Sequence, residues 1–188
     1  TNLESTVMDY LAKEKPGLGH KAEEKEFVDA IKETEKDIEH IMSIKGDLVV
    51  DEVHRELGKV VWDKVGMARN KEGLENAINS LPKIKEKFWK NVSIPGSDKD
   101  MNQELEKALR LKDFIELAEL MAYDALDRNE SCGGHFREEY QTKENEAERN
   151  DTDFKYVAAW GYNKNGKPEL FKEDLKYNNV KLKTRSYK

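Results

Sequence analysis

Between residues 23 and 44 the inward positions of a helix fall at Phe27, Ile31, Thr34, Ile38 and Ile41, spaced four, three, four, three, with charged residues almost everywhere else. Such spacing returns to one face of a 3.6-residue helix at each turn, so the segment predicts an amphipathic helix with a single narrow stripe. A stripe of this kind has to be covered by another element. The pattern recurs downstream. Gly46 closes the first segment, and a second begins after Asp47 or Asp51, with Val53, Leu57, Val60, Val61 and Met67 inward as far as Asn70. A third covers residues 74–92 with Leu74, Ile78, Leu81, Phe88 and Trp89 inward. Pro82 lies inside it and predicts a kink or break with Ser80 capping the second half, because proline offers no N–H to the Ile78 carbonyl. IPGSDKD, residues 94–100, reads as a loop. A fourth helix runs from Asn102 to about Arg128, with Leu105, Leu109, Ile115, Ala118, Met121, Ala122 and Ala125 inward. Its small alanines allow a neighbouring helix to come close.

The character changes after residue 129. FKYVAAWGY is aromatic and β-branched, NKNG supplies a turn, PELFK resumes an extended pattern, and NNVKLKTRSY alternates. The expected fold is therefore mainly α: an antiparallel three- to four-helix bundle followed by a small β-hairpin or extended C-terminal tail. A ribbon this thin needs a surface to lie on. The expected divisions are an N-terminal extension over residues 1–22, the bundle over 23–129, and the turn and β-rich tail over 130–188.

Charged residues make up 38% of the 188 and the net charge is −6, which suits solvated helices and disfavours nucleic acid, whose phosphates need a basic face. The lone Cys132 cannot form an internal disulfide, no apolar run approaches a bilayer span, and the start has neither part of a signal peptide. A soluble chain is expected. A start without methionine points to a piece of something longer. No GxGxxG or GxxxxGK[ST] phosphate cradle is present.

ESCGGHFREEY, residues 130–140, concentrates chemistry: a thiol and an imidazole three residues apart beside two glycines. Cys132 with His135 has the spacing of half a zinc site, but no second cysteine completes it. A nucleophile and base is another reading, and a tight turn leaving a helix needs much the same residues. Trp62 and Trp89 read as core or interface residues, while His40 and His54 sit at the polar edges of their helices. Neither a catalytic nor a metal site is expected from the residues.

Three motifs in order carry a resemblance: HRELGKVVWDKVGMARN (54–70), LRLKDFIELAELMAYDALDRNESCGGHFREEY (109–140) and ERNDTDFKYVAAW (148–160). Together they resemble the C-terminal part of the flavoprotein subunit of succinate dehydrogenase and fumarate reductase, from about residue 23 to the end. The family usually reads E-S-R-G-A-H-x-R-x-D at the exit of a long helix and R-D-D later. Glu130, Ser131, Gly133, His135 and Arg137 match the first motif, and Arg149 with Asp151 match the second. Cys132 stands in place of arginine, Gly134 in place of alanine, Glu139 in place of aspartate, and Asn150 interrupts the acid pair.

The resemblance implies that these matching residues contact another domain, and that FAD belongs to the parent subunit rather than to this fragment. It also implies that the complete subunit interconverts succinate and fumarate, passing electrons through FAD to iron–sulfur clusters and quinone. The implied partners are the FAD-binding and capping domains of the same chain and an iron–sulfur subunit. The implied place is cytoplasmic, peripheral on the inner face of the cell membrane, touching the membrane only through other subunits. Two alternatives stand beside it: the C-terminal domain of L-aspartate oxidase, which has a similar S-R-G-x-H turn, and a stand-alone helical interaction module.

Overall fold

The computed structural model describes residues 3–14, 21–163 and 167–183. The chain forms two compact units, residues 1–40 and 41–188. The first contains helix α1 (Leu3–Glu14) and most of α2 (Lys25–Ser43). The expected stripe of α2 is not buried along its length: Phe27 and Ile31 are 47% and 54% exposed, Thr34 is exposed with its hydroxyl bonded to the Ala30 carbonyl, and Ile41 alone is fully buried. Spacing defines which face of a helix is apolar, but burial also requires an element lying along that face.

The second unit is built on α3 (Val50–Val60), α4 (Lys71–Asn91) and α5 (Gln103–Asp127). Ends that meet define its topology. The start of α3 and the end of α4 are joined by Leu48 N–H to the Asn91 carbonyl at 2.9 Å. The start of α4 lies beside the segment following α5, where the Asn70 side chain reaches Glu138. Asp51 on α3 and Lys107 on α5 pair at 3.2 Å. The three helices therefore run up, down and up, with α4 antiparallel to both neighbours. Asparagine caps begin the two longest: the Asn70 side chain accepts from Gly73 N–H, and that of Asn102 from Glu104 and Leu105 N–H. The seam is filled by Val53 and Leu57, by Leu74, Leu81, Ile84 and Phe88, and by Leu111, Ile115, Ala118, Ala122 and Ala125. Each large apolar side chain so buried contributes about 1.5–3 kcal/mol.

Four details differ from the sequence reading. The second helix does not reach Asn70: after Val60 it widens into a π-helical turn, Val61–Val65, and Gly66 stops it. An added Cβ on Gly66 would lie 2.5 Å from the Trp62 carbonyl oxygen, so the close approach requires glycine. Beyond the stop Met67 is 87% exposed, and β1 (Ala68–Arg69) pairs in parallel with β2 (Phe136–Arg137). Second, α4 passes through Pro82 without a break, and Ser80 bonds within the helix to the Asn76 carbonyl at 2.7 Å rather than capping anything. Pro82 is exposed while Leu81, Ile84 and Phe88 are buried, so the packed side holds the helix together across the missing bond. Third, the buried line of α5 uses Ala108 and Leu111, leaving Leu109 on its flank and Met121 exposed. Fourth, Trp62 is 83% exposed, not core.

The tail forms the expected antiparallel ribbon of β3 (Tyr156–Gly161) and β4 (Glu169–Asp174), paired from Tyr156↔Asp174 to Gly161↔Glu169. The NKNG turn falls mostly outside the described residues, as does the end of NNVKLKTRSY; its part over 178–183 is not a strand. The ribbon lies on α5, where Trp160 Nε1 donates to Asp124 Oδ1 at 2.7 Å and Tyr156 is buried. Mainly α with one small antiparallel strand pair near the C-terminus is thus the architecture, and among the described residues no helix is long and apolar enough to cross a membrane.

Candidate functional site

Among the described residues the core holds three buried polar or charged side chains, Glu130, Ser131 and Arg137, all from ESCGGHFREEY. Helix α5 has no basic residue in its last turn, where carbonyls point out with partial negative charge. Arg137 supplies that charge from downstream. Its Nη1 donates to the Ala125 carbonyl at 2.9 Å and the Leu126 carbonyl at 3.3 Å, its Nε to Glu139 at 3.1 Å, and its guanidinium lies over the Tyr140 ring. Ser131 fixes the approach: its hydroxyl donates to the Arg137 carbonyl and accepts from the Arg137 N–H.

Between them Cys132 and His135 exchange both backbone hydrogen bonds, at 2.8 and 3.0 Å, around Gly133 and Gly134. Gly133 has φ +60°, the positive angle that a tight two-residue turn needs at its first central position and that glycine adopts without strain. This hairpin aims His135 back at α5. Its Nε2 lies 2.9 Å from the Arg128 carbonyl, which can only accept, so Nε2 carries the proton and Nδ1 accepts from Arg69 Nη1 at 3.2 Å. Burial first, and then the Arg69, Arg137 and Arg128 guanidiniums, hold this imidazole below its usual range, against the pull of the Arg128 carbonyl. Both ring nitrogens are thus engaged, and neither is placed to take a proton from Cys132 or to hold a metal. Among the described residues no group of three or more His, Cys, Asp or Glu side chains is placed to hold a metal ion.

Glu130 ties in the second motif. One carboxylate oxygen accepts from Arg128 Nε and the other from the Asn150 N–H, both at 2.8 Å, while Ser131 N–H donates to the Glu148 carbonyl. Arg149 Nη2 donates to Asp151 Oδ2 at 2.7 Å and the two side chains form an ion pair, which holds the Arg149 guanidinium above its ordinary value. Asn150 uses its side chain in a local turn, accepting from the Thr152 and Asp153 N–H groups at 3.2 Å. The first motif therefore gathers at the end of α5, and Arg149 and Asp151 flank the Asn150 whose N–H meets Glu130.

Sequence reasoning passed over two members of the cluster. Arg69 bonds Gly66 and His135 with its side chain and receives the Glu138 N–H on its carbonyl. Arg128 also bonds the Phe154 carbonyl and lies over the Phe154 and Tyr156 rings. Both arginines were visible in the quoted motifs, but nothing in a linear sequence pairs residue 69 with 135.

The family model "Fumarate reductase flavoprotein C-term" matches residues 54–187, a span that contains the whole cluster. The chain belongs to this family. Among its relatives, a fumarate reductase flavoprotein subunit of Proteus vulgaris is 31% identical over 77% of this chain and 23% of its own length. An uncharacterised FAD-dependent oxidoreductase of Methanocaldococcus jannaschii is 37% identical over 62% of this chain and 21% of its own. The fold is similar to that of Escherichia coli quinol fumarate reductase, with a TM-score of 0.73 and 24% identity over 88% of this chain and 27% of that one. The fumarate reductase flavoprotein C-terminal region represented here thus spans between a fifth and a quarter of the length of these curated relatives.

Flavin is named in the relatives' descriptions, and the starts of the two longest helices beside the cluster are already occupied. A pyrophosphate needs open N–H groups at a helix start. Those of α4 and α5 are closed by Asn70 and Asn102, and the Glu139 carboxylate accepts the Lys71 N–H. Burial pushes Glu139 upward, but that N–H, its own N–H and Arg137 together hold its carboxyl below the usual range.

Proposed function

We propose that this C-terminal region braces the flavin-binding part of a flavoprotein subunit that interconverts succinate and fumarate. In that reading the complete subunit passes electrons through FAD to the iron–sulfur clusters of a partner subunit and on to quinone, on the inner face of the cell membrane. The observation that carries it is the buried Arg137 network at the end of α5: charge is spent on rigidity and none is left poised for chemistry. Rigid presentation of a surface is what a brace requires, and the motif residues would act by fixing the turn against the flavin-binding part. The relatives bear fumarate reductase and succinate dehydrogenase names, which supports this parent over L-aspartate oxidase or a stand-alone module.

The experiment is to express the complete reading frame beside the 188-residue chain. The complete subunit should carry flavin absorbance and reduce a dye with succinate, and the shorter chain should do neither. A complete subunit without flavin refutes the reading.

A further inference from the structure

Two of the most exposed large apolar side chains among the described residues lie next to a strand that the motif cluster holds in place. Trp62 is 83% exposed on the π-helical turn and Met67 is 87% exposed just after Gly66. They stand five positions apart, on either side of the tight stop where Gly66 meets the Trp62 carbonyl. The segment that follows Gly66 is held firmly. It continues into β1, which pairs with β2, and Arg69 fastens it to the Gly66 carbonyl on one side and to His135 on the other. Exposing a tryptophan and a methionine beside a rigid segment is costly for solubility, and such residues are enriched where interfaces are centred.

We propose that Trp62 and Met67 are the anchor with which this region docks onto the flavin-binding part of its own subunit. This rests on the function proposed above. The choice of occupant is supported by length: the relatives are four to five times longer than the stretch they share with this chain, so in them the docking partner is covalently attached to it. Attachment raises the effective concentration to about the millimolar range, so a small contact suffices. Burying the tryptophan alone removes on the order of 200 Å² from water, a meaningful part of an interdomain contact of roughly 600–1,500 Å². The cluster's role then extends past the helix end: His135 and Arg69 set the height and angle at which the anchor is offered.

Hydroxyl-radical footprinting read by mass spectrometry tests this, with rates taken relative to an added reporter peptide. In the 188-residue chain Trp62 and Met67 should both react freely at every protein concentration. In the complete, flavin-loaded subunit both should react at least about fivefold more slowly, as expected of desolvated anchors. A W62K/M67K variant should leave the stability of the 188-residue chain unchanged and speed proteolytic cleavage of the complete subunit at the junction of its parts. A flavin-loaded subunit in which both residues stay fully reactive overturns the docking inference and leaves the function intact. Protection that appears only with added iron–sulfur subunit, or that rises with concentration in the 188-residue chain, also overturns it. A complete subunit without flavin removes the function and the inference together.

Discussion

Replacing Arg137 with methionine keeps most of its volume and removes its charge. The buried guanidinium makes one good and one longer bond to the last carbonyls of α5, at 2.9 and 3.3 Å. Bonds from a charged donor contribute about 1.5–3 kcal/mol, a figure that already includes the favourable placement of a cation at a helix C-terminus. The pair with Glu139, whose side chain is 38% exposed, adds less than about 1 kcal/mol after screening. The expected loss is therefore about 1.5–4 kcal/mol, or roughly 3–16 °C in Tm for a chain of this size. Urea unfolding followed by far-UV circular dichroism measures it, with Glu144→Gln as an exposed control. A loss under about 0.5 kcal/mol, the range of an ordinary surface change, would refute the claim that this arginine holds the helix end.

Three further outcomes follow from the same geometry. His135 is held below its usual range among Arg69, Arg128 and Arg137, so the folded chain binds its proton less readily than the unfolded chain. Its contribution is fully present above the unfolded value of about 6.5 and is lost as pH falls from there toward the folded value; a His135→Gln variant should flatten this slope in unfolding curves taken between pH 7.5 and 5. Cys132 is half-buried and no imidazole nitrogen is placed to take its proton, so Cys132→Arg should change stability by less than about 1 kcal/mol and, on the function proposed above, leave succinate-dependent dye reduction by the complete subunit intact; an inactive enzyme would restore the catalytic thiol. Pro82→Ala restores a donor to the Ile78 carbonyl at an exposed position of an unbroken helix and should raise stability by about 1–3 kcal/mol in thermal melts.

The helices were legible because their signal is local. Asn102 announces a helix start by its side chain, and Leu105, Ile115, Ala118, Ala122 and Ala125 fall where the period puts them. Misreadings arose where tertiary packing decides. Met67 continues the period of the second helix, but the π turn and the glycine contact end that helix before the period does. Pro82 obeys its local rule in losing a bond, yet the buried residues on the opposite side outweigh it. At the site, ESCGGHFREEY marked the right stretch, and its glycines announced a turn. What linear reading could not supply was the direction of its charges. Glu130 and Arg137 turn inward because a helix end and the Asn150 backbone are waiting for them, and both partners lie elsewhere in sequence.

The parallel pairing of residues 68–69 with 136–137 also bears on the order of assembly. Helix α4 closes on the helices just before and after it in sequence, whereas this pairing joins positions 68 apart, further than the 56 between Asp51 and Lys107, and the cap of α5 comes from 12 residues past the carbonyl it serves. Contacts of long separation carry the loop-closure cost and tend to form after local ones. A ribosome must therefore release residue 137 before α5 has its finished end, and the helical hairpin precedes the lock. A lesion in the lock should accordingly appear as faster unfolding with little change in the folding rate, so that the motif sets how long the domain lasts rather than how quickly it forms.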